Sequence, residues 1–283
     1  MRLRTVLLDD HPIACIAVGD GRLARVDKVL AGAPAELMAV LEAGTLDALA
    51  AAVAAGVADD ACVADAPVRA PWTRPRKILG IGLNYGAHAG DLGEQAPRTS
   101  PASFIKGDHT IVGPGEPIVV PPGIGKVTSE AELGLVIGKP CYQVSVEDAM
   151  SYVAGVVPVL DQTAEGILLE NPRYLTRVKN YPSFFAFGPD LITLDEVLAH
   201  GPLEKLRVAT IHNGAVHRED TVSGMTFSPA ELLSFHSQVM PFYPGDILST
   251  GTPGAVGIEA GDVVRCELGD GLASLTNPVR SPS

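Results

Sequence analysis

The most informative part of the chain reads Thr128-Ser129-Glu130-Ala131-Glu132-Leu133-Gly134-Leu135-Val136-Ile137-Gly138. Its aliphatic and β-branched residues, closed by Gly138, predict a buried strand. Because alternate side chains of a strand point to the same face, we expect Glu130 and Glu132 to lie side by side. Two buried carboxylates need a shared proton or a cation between them, and hard divalent cations such as Mg²⁺ or Mn²⁺ take oxygen ligands. From this strand alone, an exposed strand start with two solvated glutamates is an equal alternative.

Composition restricts the class of protein. A chain of 283 residues is long enough for one large domain, or for a small domain joined to a larger one. The net charge is −12 and no Lys/Arg cluster is present, which argues against a surface for nucleic acid or anionic membrane. The four cysteines lack CxxC spacing, no apolar run has the length of a membrane span, and no signal peptide is evident. We therefore expect a cytoplasmic protein with reduced thiols.

The first part of the chain predicts a small α+β domain. Strand patterns at residues 2–8, 13–18 and 22–26 are followed by helix patterns at 33–43 and 46–55, and Gly19-Asp20-Gly21 predicts a hairpin between the second and third strands. Prolines at 67, 71 and 75 then space the chain around Trp72. This change from helix patterns to a proline-spaced segment predicts a domain boundary, which we place between domains of residues 1–70 and 71–283.

The second part predicts many short strands broken by Gly and Pro. Strand patterns lie at residues 77–83, 117–120, 131–137, 152–160, 206–212, 246–249, 262–267 and 272–275. Helices are few, but Ser228-Pro229-Ala230-Glu231 and Thr193-Leu194-Asp195-Glu196 each predict a capping box at a helix start. Strands without regular βαβ alternation favour a β-rich α+β fold with a closed sheet over a doubly wound one.

Asp161 is a candidate partner of the glutamate pair. It follows a second aliphatic strand pattern, residues 155–160, and an acid at the end of a strand can lean toward the site that Glu130 and Glu132 face. Three carboxylates would leave room for water or a chelating substrate beside a cation. The alternative is that Asp161 only caps a turn.

His88 and Asp91 are a candidate general base and its supporting acid. They are three residues apart in a short helical pattern that follows Gly82-Leu83-Asn84-Tyr85, so they are neighbours on one helical face. The carboxylate can hold the imidazole in one tautomer while His88 takes a proton from water. A solvated surface pair fits the same spacing, and the spacing alone does not bring the pair to a site.

Lys179 and Thr252 are candidates for contacts to oxyanions. Lys179 precedes an aromatic segment, residues 180–189, that would shield its charge, so its ammonium could neutralise an enolate or carboxylate oxygen. A lysine that snorkels over the aromatic rings is the alternative. Thr252 lies in a glycine-rich turn, residues 250–257, whose N–H groups could bind an anion or could be purely structural. The usual marks of serine hydrolases, zinc proteases and dinucleotide enzymes are missing.

Eight segments between Lys77 and Val279, taken in order, resemble the fumarylacetoacetate hydrolase family. They are Gly82-Leu83-Asn84-Tyr85 with His88, Phe104-Ile105-Lys106, Glu130-Ala131-Glu132-Leu133 with Val136-Ile137-Gly138, Asp161, Lys179 with Gly188-Pro189, Asn213-Gly214, Met225-Thr226-Phe227, and Pro244-Gly245-Asp246 leading to Thr250-Gly251-Thr252-Pro253. The resemblance implies a mixed β-sheet roll around a Mg²⁺ or Mn²⁺ site, usually in a homodimer, with a small N-terminal domain in longer members.

The resemblance also implies roles for individual residues. It makes Glu130, Glu132 and Asp161 the metal ligands, and His88 and Asp91 a lid dyad. It makes Lys179 an oxyanion partner and Thr252 a contact to the substrate carboxylate, with Lys106 and Arg218 as further substrate-binding residues. The expected partner is a small 2-oxo acid, and no nucleic acid or membrane.

Some positions depart from the family's pattern. Leu160 stands where Asn is usual, Glu165-Gly166 where an Arg-Asp pair is usual, and Arg218 where Gln is common. Asp91 replaces a Glu found in many relatives, which shortens its reach by one methylene. The metal ligands are thus kept while the residues expected around the substrate are altered, so a particular family substrate cannot be carried over.

The expected reaction is metal-dependent hydrolysis of a C–C bond in a 1,3-diketo acid such as an acylpyruvate. The substrate's carboxylate and 2-oxo oxygen would bind the ion, His88 with Asp91 would activate water, and the ion with Lys179 would stabilise the departing enolate. Decarboxylation of an oxaloacetate-like acid, or keto–enol or double-bond isomerisation of a dienedioate, uses the same enolate without water. A 2-oxo-acid-binding protein without turnover is the remaining alternative.

Overall fold

The structure, a computed structural model, describes residues 1–64, 66–86 and 97–282. Its strands are β1 Arg2–Leu8, β2 His11–Ala17, β3 Leu23–Arg25, β4 Cys62–Val63, β5 Ile78–Gly82, β6 Ala102–Lys106, β7 Ile111–Val112, β8 Ile118–Val119, β9 Val127–Ile137, β10 Val153–Thr163, β11 Phe185–Phe187, β12 Asp190–Thr193, β13 Arg207–His212, β14 Ala215–Thr221, β15 Ile247–Ser249, β16 Ala255–Ile258, β17 Val263–Leu268 and β18 Ala273–Arg280. Its α-helices are α1 Val26–Val29, α2 Leu37–Glu42, α3 Leu46–Ala55, α4 Val146–Ala149, α5 Glu165–Glu170, α6 Leu175–Lys179, α7 Leu194–His200 and α8 Pro229–Ser237. No described helix is both long and apolar enough to cross a bilayer.

The described strands form two sheets. A 13-stranded sheet has the central order β4-β3-β2-β1-β12-β10-β9-β15-β5-β6, with β11, β7 and β16 attached beside β10 and β9. A five-stranded sheet has the order β14-β13-β17-β18-β8. Most neighbours are antiparallel, but β5 pairs with β15, β7 with β11 and β8 with β18 in parallel. The predicted β-rich α+β fold with mixed sheets is therefore confirmed.

The centre of the larger sheet is the antiparallel pair β9–β10, in which almost every residue is buried. Leu133 and Leu135 share a hydrophobic cluster with Val264 and Leu275 of the smaller sheet, whereas Val136 belongs to the cluster on the opposite face. By strand alternation, Glu130 and Glu132 are on the Val136 face. The carboxylates therefore lie on the face turned away from the five-stranded sheet.

Strand β9 starts earlier than the sequence predicted. Residues 127–130 are polar enough to suggest an exposed strand start, yet Thr128, Ser129 and Glu130 are buried between two neighbours. Strand β10 pairs with them on one side and β16 on the other, with Ala255 opposite Glu130. The extension of β9 is what encloses the glutamate pair.

The N-terminal region joins the larger sheet through β1, which pairs with β12. The hairpin at residues 19–21 and the helix at 46–55 lie where they were predicted. The helix predicted at residues 33–43 is shorter, Leu37–Glu42, because the Ala35 carbonyl accepts a hydrogen bond from the Ala14 N–H of β2 at 2.7 Å. One sheet thus runs across residue 70, and the division into domains 1–70 and 71–283 stays a prediction.

Of the two predicted capping boxes, one is present and one is wrong. The Ser228 hydroxyl accepts the Glu231 N–H at 3.3 Å, and the Glu231 carboxylate accepts the Ser228 N–H at 2.7 Å. Thr193 makes no cap, because its hydroxyl accepts a hydrogen bond from the Met1 amino group at 2.5 Å. Glu196 pairs with the same amino group at 2.8 Å. The Thr193 hydroxyl and the Glu196 carboxylate, which would have formed the second capping box, therefore both contact the Met1 amino group instead.

His236 on α8 leads to a pH-dependent stability. Only 3% of the residue is exposed, its Nδ1–H donates to the Leu232 carbonyl at 2.8 Å, and no hydrogen-bond partner of Nε2 lies among the described residues. Burial lowers the pKa of His236 below its ordinary value of 6.5. The folded state therefore favours the neutral ring, so this contribution to stability is complete above pH 6.5 and is lost as the pH falls below it.

We expect the unfolding free energy of the native protein to decrease toward acid pH more steeply than that of His236→Phe, which keeps a ring but has no proton to take up. Urea unfolding of both proteins across this pH window measures the difference. A difference between them that does not change with pH would contradict the assignment.

Candidate metal centre

Three predicted acids meet on the central strand pair. Glu130 and Glu132 come from β9, and Asp161 of β10 lies directly opposite Glu130. Each offers an oxygen, and these oxygens lie within 4.8 Å of one another. The residues are 8%, 0% and 1% exposed, respectively, so solvated glutamates are excluded. Asp161 is not at the end of its strand as predicted, because Gln162 and Thr163 continue the pairing with β9.

Two buried lysines face these acids. The Lys179 Nζ donates to Glu130 Oε2 at 2.9 Å and to Asp161 Oδ2 at 2.5 Å. The Lys106 Nζ donates to Asp161 Oδ1 at 2.5 Å. Lys179 also lies 4.5 Å from the centre of the Phe104 ring, so β6, rather than the aromatic segment after Lys179, supplies its aromatic cover. Lys179 is 5% exposed, which excludes the snorkelling alternative.

The cluster has an excess of negative charge when all its groups are ionised, because three carboxylates face two ammonium groups. Burial, reinforced by the charges of Asp161 and Glu130, raises the pKa of Glu132 to about 8. Burial lowers the pKa of Lys106 to about 8, against the opposing effect of Asp161. Burial also acts to lower the pKa of Lys179, but the surrounding carboxylates, led by Asp161, outweigh it and raise that pKa.

Glu132 has one satisfied and one unsatisfied oxygen. Its Oε2 accepts hydrogen bonds from the Ser249 hydroxyl at 2.5 Å and the Gly251 N–H at 3.0 Å. Its Oε1 is buried and has no hydrogen-bond partner among the described residues. A buried acceptor of this kind is costly unless a cation or proton meets it. Together with a donor set made only of carboxylate oxygens, it fits Mg²⁺ or Mn²⁺.

Several residues that orient the acids were not predicted. Thr163 donates to Glu130 Oε1 at 2.6 Å, and Ser249 and Gly251 hold Glu132. Thr163 had a sequence signal, since it lies two residues after Asp161 and therefore on the same face of β10. Ser249 and Gly251 had none, because their proximity depends on β15 pairing with β9.

The glycine-rich turn at residues 250–257 lies beside Glu132. The Asn84 side chain donates to the Thr250 carbonyl at 2.9 Å and to the Phe227 carbonyl at 3.0 Å, which joins three of the family-like segments. Thr252 is buried, and its hydroxyl donates to the Gly254 carbonyl and accepts the Gly254 N–H, both at 3.2 Å. The hydroxyl predicted to contact substrate thus also stabilises its own turn.

Arg218 reaches the same turn from β14. A Cβ built on Gly254 would come within 3.1 Å of the Arg218 Nε, so glycine lets the arginine side chain lie against the turn. Arg218 is opposite Thr210, whose hydroxyl accepts the Ala131 N–H at 3.3 Å, between the two glutamates. His88 and Asp91 lie outside the described residues, so the dyad stays a prediction.

Two of the departures from the family pattern do not affect the acid cluster. The Leu160 side chain points to the face of β10 opposite that of Asp161, and it is buried in the hydrophobic cluster between the two sheets. Glu165 begins α5 and pairs with Lys126 at 2.6 Å. Neither side chain contacts the three acids in the described part of the chain.

Fold and site together define a β-rich α+β protein whose central strand pair holds three buried carboxylates against two lysines. Residues 77–280 match the sequence profile described as fumarylacetoacetate (FAA) hydrolase, C-terminal. The chain belongs to the fumarylacetoacetate hydrolase family, as the resemblance indicated.

Similar proteins carry several activities. The chain is 34% identical over 207 residues to the mitochondrial oxaloacetate tautomerase of Rattus norvegicus, covering 70% of this chain and 65% of that relative's length. The 2-hydroxyhepta-2,4-diene-1,7-dioate isomerase of Mycobacterium marinum has a TM-score of 0.77 at 26% identity, over 100% of this chain and 99% of that one. The maleylpyruvate hydrolase of Sphingobium sp. SYK-6, solved with manganese(II) and pyruvate, has a TM-score of 0.79 at 25% identity over 100% of both chains.

Proposed function

We propose that this protein is a divalent-metal-dependent enzyme that enolises a small 2-oxo acid, with keto–enol tautomerisation of an oxaloacetate-like acid as its reaction. The observation that supports this most is the buried cluster of Glu130, Glu132 and Asp161 with an unsatisfied Glu132 oxygen beside two lysines.

The three acids would hold Mg²⁺ or Mn²⁺. When bound, the ion supplies Lewis-acid polarisation of the substrate's oxygens. Metal binding would stabilise Glu132 Oε1 most, because no described hydrogen-bond donor reaches this oxygen, whereas Oε2 of the same carboxylate already accepts from Ser249 and Gly251. With the ion present, the positive charges of the cluster exceed the negative ones, which favours an anionic substrate.

The lysines would stabilise charge that develops on the substrate. Lys179 keeps its ammonium form, because the adjacent carboxylates raise its pKa, and it is held rigidly by Glu130 and Asp161. A positioned donor in a buried site of this kind is worth about 10²–10³ in rate when charge builds on an enolate oxygen. We propose that Arg218 and the Thr252 hydroxyl receive the substrate's carboxylate, since both lie at the turn of residues 250–257, which contacts Glu132 through the Gly251 N–H.

The named activities of the relatives support a reaction that keeps the substrate's mass. A tautomerase and an isomerase both rearrange their substrate, and enolisation moves one proton from carbon to the 2-oxo oxygen without activated water. Lys106, whose pKa burial lowers to about 8, is the described side chain that would take this proton from carbon and return it to oxygen. Of the candidate reactions, tautomerisation is therefore the one for which the described part of the chain supplies the most catalytic groups.

Hydrolysis of a 1,3-diketo acid is the second candidate. The structural similarity to a maleylpyruvate hydrolase solved with pyruvate favours it, and so does the predicted water-activating pair His88 and Asp91. His88→Ala separates the two candidates: we expect it to abolish hydrolysis while metal binding is kept, and to leave enolisation much less affected.

One panel of substrates tests the proposal. Oxaloacetate and acylpyruvates are incubated with the protein and Mg²⁺ or Mn²⁺, with and without EDTA, while enol absorbance and product masses are followed. We expect accelerated tautomerisation of oxaloacetate that EDTA abolishes. Two fragments would instead indicate hydrolysis, CO₂ would indicate decarboxylation, and binding of pyruvate without turnover would indicate a binding protein. The homodimer expected from the family is tested separately by light scattering.

A further inference from the structure

The side chain of Asn180 joins the two segments that carry the lysines of the acid cluster. Asn180 is the residue after α6, and its amide reaches the backbone on both sides of Lys106 in β6. Its Oδ1 accepts the Gly107 N–H at 2.7 Å, and its Nδ2 donates to the Ile105 carbonyl at 3.0 Å. The same Nδ2 donates to the Thr176 carbonyl of α6 at 2.9 Å. One amide thus binds the end of β6 to the end of α6.

The Asn180 amide takes the place of a neighbouring strand at the edge of the larger sheet. Strand β6 is the last strand in the described order of that sheet, and it pairs with β5. The Ile105 carbonyl and the Gly107 N–H belong to alternate residues, whose backbone groups point to the same side of a strand. Asn180 donates to one and accepts from the other, as the peptide groups of a further strand would. A carboxylate could only accept there, and an alanine side chain could do neither.

A second contact from Asn180 fixes the loop after β6. The Asn180 carbonyl accepts a hydrogen bond from the His109 Nε2 at 2.9 Å. The imidazole lies against Gly107, where a built Cβ would come within 2.5 Å of the His109 Nδ1, so glycine permits this approach. The segment of residues 105–109 is therefore attached to Asn180 through both its side chain and its carbonyl.

The two lysine ammonium groups repel each other where they meet. Lys106 Nζ donates to Asp161 Oδ1 and Lys179 Nζ donates to Asp161 Oδ2, each at 2.5 Å, and both lysines are buried. Like charges on one buried carboxylate are weakly screened, and the flexible stem of a lysine does not by itself fix its ammonium. The backbone at the other end of each stem therefore sets how far the ammonium groups can separate. Asn180 holds these two backbones together without adding a charge.

We propose that Asn180 is a positioning residue that places the ammonium groups of Lys106 and Lys179 as one unit for enolisation. This inference rests on the proposed function, in which Lys106 moves the proton and Lys179 stabilises the enolate. Asn180 acts through the backbone of β6 and α6, and none of its described hydrogen bonds goes to an acid of the cluster. Because the lysines act mainly in the transition state, loss of Asn180 is expected to lower kcat and to leave substrate and metal binding nearly unchanged.

Asn180→Ala tests this expectation in the Mg²⁺-loaded protein with oxaloacetate as substrate. We expect kcat to fall by about tenfold or more, since a displacement of about 1 Å at a reacting group can cost about 10²-fold. KM and the Mg²⁺ affinity measured by calorimetry are expected to stay within about twofold of the native values. A rise in KM with an unchanged kcat would overturn the proposal.

Asn171→Ala is the matched control. Asn171 is also partly buried and lies between α5 and α6, where its Oδ1 accepts the Arg173 N–H at 3.0 Å. No described hydrogen bond of its side chain reaches β6. We expect this variant to keep kcat within about twofold of the native value. Equal losses of kcat in Asn171→Ala and Asn180→Ala would indicate a general loosening of this region and would overturn the positioning role.

A double-mutant cycle tests whether Asn180 acts through Lys106. In Lys106→Met, which lacks the ammonium, the further loss of kcat caused by Asn180→Ala is expected to be at least about threefold smaller than in the native protein. Independent structural effects would instead multiply, so an equal factor in both backgrounds would contradict the proposal.

Crystal structures of the metal-free native protein and of Asn180→Ala test the same role without turnover. We expect the Lys106 Nζ to move from 2.5 Å to beyond about 3.5 Å from Asp161 Oδ1, which is past hydrogen-bond distance. An unmoved Lys106 would overturn the positioning role. Absence of oxaloacetate turnover in the native protein would overturn the proposed function, and the displacement of Lys106 would still support the positioning role.

Discussion

Replacing Glu132 by Gln is expected to abolish Mg²⁺ or Mn²⁺ binding and to lower kcat/KM for the 2-oxo acid by at least about 10³-fold. The Ser249 hydroxyl and the Gly251 N–H are donors, so they will hold the amide oxygen of the glutamine. This leaves the NH₂ group at the place of the unsatisfied Oε1, where a donor meets the cation. Calorimetric titration with the metal and steady-state kinetics measure the two losses.

The variant is expected to fold normally. Burial raises the pKa of Glu132, which favours its protonated form in the absence of metal, and glutamine has nearly the shape of the protonated acid. Glu165→Gln is the matched control, because Glu165 is also buried, at 8% exposed against 0% for Glu132, and its ion-pair partner among the described residues is Lys126, outside the cluster. Metal affinity in Glu132→Gln equal to that of Glu165→Gln would remove Glu132 from the metal site.

Replacing Lys179 by Met is expected to destabilise the metal-free protein by about 3–5 kcal/mol, the usual cost of breaking a buried ion pair by removal of one partner. Among the described residues, Glu130 loses its ammonium partner and Asp161 keeps Lys106 alone. Mg²⁺ is expected to restore part of the loss, because it returns positive charge to the same carboxylates. Urea unfolding with EDTA and with Mg²⁺ measures both effects.

Lys126→Met is the control for this second variant. It also breaks a close lysine–glutamate pair, at 2.6 Å, but the lysine side chain is 59% exposed. Because the Glu165 side chain is only 11% exposed, water screens this pair from the lysine side alone, and we expect a loss smaller than that of Lys179→Met. If Lys179→Met loses no more stability than Lys126→Met, the buried cluster does not depend on the ammonium of Lys179. A loss that Mg²⁺ leaves unchanged would count against metal binding by Glu130 and Asp161.

The sequence carried enough information to predict the three acids because strand alternation is a local rule. Glu130 and Glu132 are two residues apart in a strongly aliphatic strand, and this alone places them on one face. The addition of Asp161 needed a second strand pattern and the order of the family-like segments. What failed was the length of both strands, since residues such as Thr128 and Thr163 are polar but buried in the pairing of β9 with β10.

The ion pairs and hydrogen bonds around the acids were beyond sequence reasoning. Lys106 and Ser249 come from strands that reach the cluster only through long-range pairing in the sheet. The false capping box at Thr193 has the same origin, because its hydroxyl is claimed by the first residue of the chain. Local sequence patterns predict which hydrogen bonds a side chain can make, and residues distant in sequence determine which of these bonds form in the folded chain.

The positions of the carboxylates and of Arg218 have a consequence for how this protein can diverge. The acids lie on the most enclosed strands, where nearly every substitution disturbs neighbours on two sides. Arg218 lies on β14, the outermost strand of its sheet, with a single neighbouring strand and mostly exposed side chains. Mutations accumulate more readily on such a strand, so, with Arg218 in its proposed substrate-binding role, selection can alter which acid is accepted while the ancestral chemistry is inherited unchanged.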